Sequence, residues 1–171
     1  MLTALKTKQF RAETAHFAIV ASRYNDRYVG AMLRAAKAEL KRAGVKNVRV
    51  VRVPGAYEIP LVAARLARLA SEKPQTAAAS QTAQRQEARL AGIICLGVIL
   101  RGETVHAAHI GEAVSQTLMQ LQLQYEVPLI HEVLLLENEA QARARCLSPR
   151  HNRGTEAAQT ALAMAEVMKL L

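Results

Sequence analysis

The chain has 171 residues, 51% apolar and 22% charged, with 23 Lys and Arg against 14 Asp and Glu for a net charge of +9. That length suits one domain whose core needs no disulfides, and the composition excludes a disordered, collagen-like or disulfide-framework chain. The basic balance favours anionic partners, but aromatic residues are only 4% with no Trp, so a base-stacking platform is poorly supplied and no nucleic-acid partner is expected.

No apolar run approaches the ~20 residues that span a bilayer, so no membrane partner is expected. The opening MLTALKTKQFRAET lacks the apolar stretch of a secretory leader, and a cytoplasmic location is expected. Residues 1–15 read as an N-terminal arm. His16–Ser22 is a short β-branched run and predicts a buried strand. Val29, Met32, Leu33, Ala36 and Leu40 then recur at the helical period, with Gly44 as the stop. Val48–Val53 predicts a second strand, ended by Pro54-Gly55. Ile59–Ala70 is helical in pattern. Residues 71–89 contain no Val, Ile, Leu, Met or aromatic residue, so they predict an exposed loop inside a single domain covering 1–171.

Leu90–Leu100 is the most apolar stretch and predicts a central strand covered on both faces. After Arg101–His106, the stripe Ile110, Val114, Leu118, Leu121, Tyr125 predicts a helix. Val127–Leu136 predicts a fourth strand. A helix begins near Glu137 or Asn138, and a last one carries Ala158, Ala161, Leu162, Ala165 and Met168 on one face. Cys95 and Cys146 form no CxxC and are expected to be reduced thiols, with no metal site. The order β-α-β-α-β-α-β-α-α implies an α/β fold. It is a three-layer αβα sandwich of flavodoxin-like kind, with a four-stranded parallel sheet that binds ligands at the carboxyl ends of its strands.

The residues that fit no core pattern fall just after strands. Tyr24-Asn25 follows the first, Pro54-Gly55-Ala56-Tyr57-Glu58 the second, and Arg101-Gly102-Glu103-Thr104-Val105-His106 the third. His131-Glu132 interrupts the fourth, and His131 would join the others if that strand ended early. Each group has a plain structural reading: Pro-Gly as a turn, Thr104 as a helix cap, Arg145 as a solvated helix residue. Together they propose a site with aromatic faces, a carboxylate, a helix start able to bind phosphate, and an imidazole.

At these residues a family resemblance enters. Val53–Pro60 matches the VPGA[FY]EIP motif of the 6,7-dimethyl-8-ribityllumazine synthases. Leu96–His106 is similar to that family's LGxVIRGxTxH segment, Glu137–Arg145 to its ENxxQAxxRA helix, and Asn152–Ala158 to its NKGxEAA. The resemblance implies condensation of 5-amino-6-(D-ribitylamino)uracil with 3,4-dihydroxy-2-butanone 4-phosphate, the penultimate step of riboflavin biosynthesis. It implies no cofactor and a homopentamer or a multiple of one. By position it implies that His106 transfers protons, Arg145 binds phosphate in a neighbour's site, and Gly102-Glu103-Thr104 cradle that phosphate. Tyr24-Asn25 would meet the pyrimidine; Ala56, Tyr57 and Glu58 the ribityl chain; Val98, Ile99 and Leu100 the ring edge.

Departures from the family pattern are Ala107 and His109, where aromatics are common, and His131-Glu132 for Phe-Gly. The phenylalanine replaced by His131 closes the adjacent subunit's pocket in the family. Pro149 stands at a basic position, and Arg153 replaces Lys. Two other readings stay open: a paralogue that binds lumazine or flavin without turnover, and a basic nucleic-acid-binding domain, which the charge alone favours.

Overall fold

A computed structural model describes residues 14–71 and 90–171. The expectations for the 1–15 arm and the 71–89 loop therefore lie outside the described residues, apart from Thr14, Ala15 and Ser71. Ala15 is buried. In chain order the elements are β1 (His16–Ser22), α1 (Asp26–Arg42), β2 (Asn47–Val53), α2 (Ile59–Ser71), β3 (Leu90–Leu100), α3 (His106–Tyr125) and β4 (Leu129–Leu136). A short α4 (Glu139–Ala142) runs into a π-turn (Arg143–Leu147), and α5 (Arg153–Leu170) ends the chain.

The four strands pair in parallel in the order β2-β1-β3-β4. β3, which carries no polar side chain, and β1, apolar from Phe17 to Ala21, take the two central places, where both faces are covered. Alternate side chains divide between two cores. Phe17, Ile19, Ala21, Ile94, Leu96 and Val98 meet α1 and α5. Ala18, Val20, Ile93, Cys95 and Ile99 meet α2 and α3. The result is the predicted three-layer sandwich. β2, at an edge, is only partly buried and carries Arg49 and Arg52, charges that discourage further strand pairing.

The helix stop at Gly44 is a Schellman motif. The Gly44 N–H donates to Lys41 O, the Val45 N–H to Leu40 O, and Gly44 takes φ 84°, a value that glycine adopts without a Cβ penalty. Leu40 and Val45 are both buried beside it. Three boundaries differ from the sequence expectation. α1 begins at Asp26, three residues before the apolar period. β4 starts at Leu129, because Pro128 cannot donate to a ladder. The buried face of α5 stops at Ala165, since Val167, Met168 and Leu170 are exposed in its last turns. Both cysteines are free and buried, and desolvation pushes the Cys95 thiol up to about 12. Among the described residues no helix is long and apolar enough to cross a membrane.

Candidate active site

The strand order reverses between β1 and β3, since the chain leaves β1 toward β2 and leaves β3 toward β4. Connections diverge at such a point and open a crevice at the carboxyl ends. A cleft of about 1160 Å³ lies there, lined by the segments after β1, β2 and β3 and by one face of α3.

The segment after β1 is tightly fastened. The Arg23 N–H donates to Val53 O at 2.8 Å and the Tyr24 N–H to Pro54 O at 2.9 Å, drawing the turn toward β2. From β2, Arg52 donates to Ser22 O at 2.8 Å and to Asp26 Oδ1 at 2.5 Å. Asn25 reaches the other way, its Nδ2 donating to Val98 O of β3 at 2.9 Å. Its backbone is left-handed (φ 58°, ψ 40°), which Asn tolerates better than most residues. Asn25 thus spans the crevice floor with its amide nitrogen already committed. Asn25→Ala should lose that bond and strain the turn, costing about 2–3 kcal/mol; Asn25→Gly keeps the backbone and should cost about 1 kcal/mol. Denaturant titration of both variants checks this, and equal losses would refute the backbone argument.

Two aromatic faces border the cleft: Tyr24 is 75% exposed and Tyr57 is 63% exposed. Large apolar side chains left in water beside a cavity are available for stacking on a planar ligand. Glu58, at the start of α2, accepts from the Gly55 N–H through Oε2 at 2.8 Å. That bond orients the carboxylate and leaves Oε1 for a ligand hydroxyl. Val98, Ile99 and Leu100 form the β3 wall.

β3 ends at Leu100, and α3 starts at His106 with its first turn at the cleft. Thr104 Oγ1 accepts from the His106 N–H at 3.4 Å, but the N-cap of α3 is Val105 and no side chain caps the helix, so Thr104 is not its cap. Gly102, Thr104 and His106 line the cleft; Glu103 is exposed and does not. A helix start carries unpaired N–H groups and a partial positive charge, which suit a phosphate.

Two expected residues stand elsewhere. β4 does not end early but continues to Leu136, so His131, its third residue, sits well back from the carboxyl edge, in register with Cys95. There His131 Nε2 meets Ser115 Oγ at 2.7 Å and Nδ1 accepts from the Val133 N–H at 3.2 Å. Desolvation against α3 lowers its pKa. Arg145 lies exposed on the π-turn. Neither lines this chain's own cleft.

The sequence reading missed part of the wall. Ala107, His109, Ile110, Glu112, Ala113 and Gln116 of α3 all line the cleft. His109, Glu112 and Gln116 follow i, i+3, i+7 spacing, the one available signal, but a polar helix stripe equally fits a solvated face. Glu112 accepts from Gln116 Nε2 at 3.1 Å. Ile110 belongs at once to the helix core stripe and to the cleft.

Known proteins match this sequence along almost the whole chain. Residues 14–169 match the family model described as 6,7-dimethyl-8-ribityllumazine synthase. A protein of that name from Stenotrophomonas maltophilia (strain R551-3) is 37% identical over 161 residues, covering 93% of this chain and 92% of its own. One from Xanthomonas campestris pv. campestris (strain B100) is 37% identical over 163 residues, covering 94% of each. The match includes the segments that build the cleft, and the chain belongs to the 6,7-dimethyl-8-ribityllumazine synthase family.

Proposed function

We propose that the cleft condenses 5-amino-6-(D-ribitylamino)uracil with 3,4-dihydroxy-2-butanone 4-phosphate, giving the lumazine, orthophosphate and two waters. The observation that carries this is the convergence, at one strand-order reversal, of the segments that bear the family motifs. Imine formation and phosphate elimination require proton transfer and an anion site. His106 at the head of α3 supplies the first, and the helix start behind Gly102 and Thr104 supplies the second. Tyr24 and Tyr57 offer faces to the pyrimidine, Glu58 accepts ribityl hydroxyls, and the β3 wall from Val98 to Leu100 meets the ring edge. Proton transfer and anion binding suffice for this chemistry, so the reaction proceeds without a metal or organic cofactor.

The working unit in this reading is a homopentamer or a multiple of one, in the cytoplasm. Arg145 and His131 support it. The family resemblance puts their positions in the site, yet both stand outside this chain's own cleft, as residues supplied to a neighbouring copy would. Exposed Met119, Leu123 and Leu135 on α3 and β4 supply apolar area for such a contact.

The test is lumazine formation from the two substrates, followed by absorbance. Product formation supports the enzyme. No turnover, with tight binding of the ribityl-pyrimidine, would instead mean a binding protein. Arg145→Ala should raise the apparent KM of the phosphate substrate by about tenfold or more, the loss of one charge-assisted contact, with the pyrimidine KM unchanged. An unchanged KM for the phosphate substrate would remove Arg145 from the site.

A further inference from the structure

The strand and helix behind the π-turn hold a charged cluster that the reaction does not use directly. Glu132 of β4 is only 6% exposed, on the sheet face toward α5. Arg153, the first residue of α5, grips it with both prongs of its fork: Nε to Oε2 at 3.0 Å and Nη2 to Oε1 at 3.0 Å. The remaining nitrogen, Nη1, meets Glu156 Oε2 at 2.5 Å. All three guanidinium nitrogens are committed, so the start of α5 is fixed against β4.

From that fixed point a second clamp reaches the π-turn. Asn152, buried and one residue before Arg153, accepts from the Gly154 N–H through Oδ1 at 2.9 Å. Its Nδ2 donates to the carbonyl of Cys146. Cys146 is fully buried, and Arg145 is its neighbour in the chain. The two arginines of the turn differ in consequence. Arg143 is tied to Glu139 at 2.9 Å, whereas Arg145 is exposed and makes no ion pair among the described residues. A π-turn carries one more residue per turn than an α-helix and therefore needs outside support to keep its register.

We propose that the buried Glu132–Arg153 pair, acting through the Asn152 clamp on Cys146, is a positioning device that aims Arg145 at the phosphate of the substrate. This rests on the reading of Arg145 as a phosphate ligand. Glu132 and Arg153 are positioning residues, since Glu132 is buried and every guanidinium nitrogen of Arg153 is spent on Glu132 and Glu156, whereas Arg145 is exposed. Both stand where the family pattern has other residues, so the device belongs to this chain's own sequence.

The charge state of Glu132 makes the device sensitive to pH. Burial pushes its carboxyl up to about 7, against the opposing pull of Arg153 and Arg145. The groups that face it are Arg153 and Glu156 from α5 and Arg145 and the Cys146 thiol from the π-turn. As pH falls through about 7 the carboxylate takes up a proton and no longer bridges two guanidinium nitrogens as an anion. The fold is not lost with it. A carboxyl whose folded pKa lies above its ordinary 4.5 binds its proton first in the folded state, so this group favours folding as pH falls from about 7 toward 4.5.

The test is steady-state kinetics of the full chain and its variants between pH 6 and 8.5, with a KM for each substrate. Glu132→Gln should raise the KM of the butanone phosphate about tenfold, with kcat and the pyrimidine KM within about twofold. Arg153→Lys, which keeps the charge but loses the fork, should do the same to a smaller degree and serves if the first variant folds poorly. In the unaltered chain the phosphate-substrate KM should climb more steeply below pH 7 than in Glu132→Gln, a comparison that cancels the substrate's own ionisation. Adding Glu132→Gln to Arg145→Ala should leave the KM where Arg145→Ala set it. If Arg145→Ala raises that KM while Glu132→Gln and Arg153→Lys leave it unchanged, the positioning role is overturned. Additive effects, or equal loss of both substrates in step with stability, would overturn it too. If Arg145→Ala itself changes nothing, it is the reading of Arg145 that fails.

Discussion

Replacing Gly154 by alanine should cost the protein at least about 3–5 kcal/mol, the range of severe overpacking. Gly154 is the second residue of α5, where that helix crosses α1. A Cβ built there lies 2.0 Å from the Met32 carbonyl oxygen and 2.6 Å from both Met32 C and Cα. Those are backbone atoms in the middle of a buried helix, and no rotamer change can move them aside. α1 would have to retreat by an ångström or more along a face that buries Val29, Met32 and Ala36. For a chain of this length each kcal/mol moves Tm by roughly 2–4 °C, so the variant should melt about 10 °C lower or fail to fold. A thermal melt within 2–3 °C of the unaltered protein would show that the two helices can separate cheaply there.

His106→Ala should lower kcat by about 10²–10⁴-fold, the contribution of a positioned proton-transfer group, while pyrimidine binding and stability stay nearly unchanged. His106 opens α3, is exposed, and packs into neither core, so its removal leaves no cavity. The tyrosine faces and the Glu58 carboxylate of the cleft come from the segments after β1 and β2 and do not depend on it. Stopped assays should separate the two quantities, with ligand titration for binding and single-turnover absorbance for chemistry. Partial recovery of rate on adding imidazole would tie the loss to a missing proton carrier. Strong loss of binding at unchanged saturated rate would instead make His106 a binding residue.

The fold was legible because its signals are strong and local. The unbroken apolar run of β3, too short to span a bilayer, reads as a doubly covered strand, and the helix stop at Gly44 announces itself by residue type. The place of the cleft was legible for a related reason: segments after parallel strands must meet at one edge. Other features depend on distant pairings. Asn25 reads as a ligand contact, yet its amide is tied to a carbonyl 73 residues away. His131 could be placed only once the length of β4 was known. The cleft-facing stripe of α3 looks like a solvated face, because polarity at helical spacing does not say what it faces. Glu132 in a strand reads as an interruption until Arg153, 21 residues on, is seen to hold it.

The Asn25–Val98 link also bears on how the molecule assembles. The crevice floor joins two central strands that are far apart in the chain, so it cannot exist on a nascent chain until β3 has been synthesised. β1, α1 and β2 can collapse together earlier, but a truncated chain ending before β3 would display the Tyr24 turn with nothing opposite it. Such long-range closure slows folding more than it weakens the folded state. Doubling the length of chain that a contact closes adds only about 0.6 kcal/mol of closure entropy. Extra residues between α2 and β3 should therefore be tolerated at equilibrium, and their effect should be sought in refolding rates.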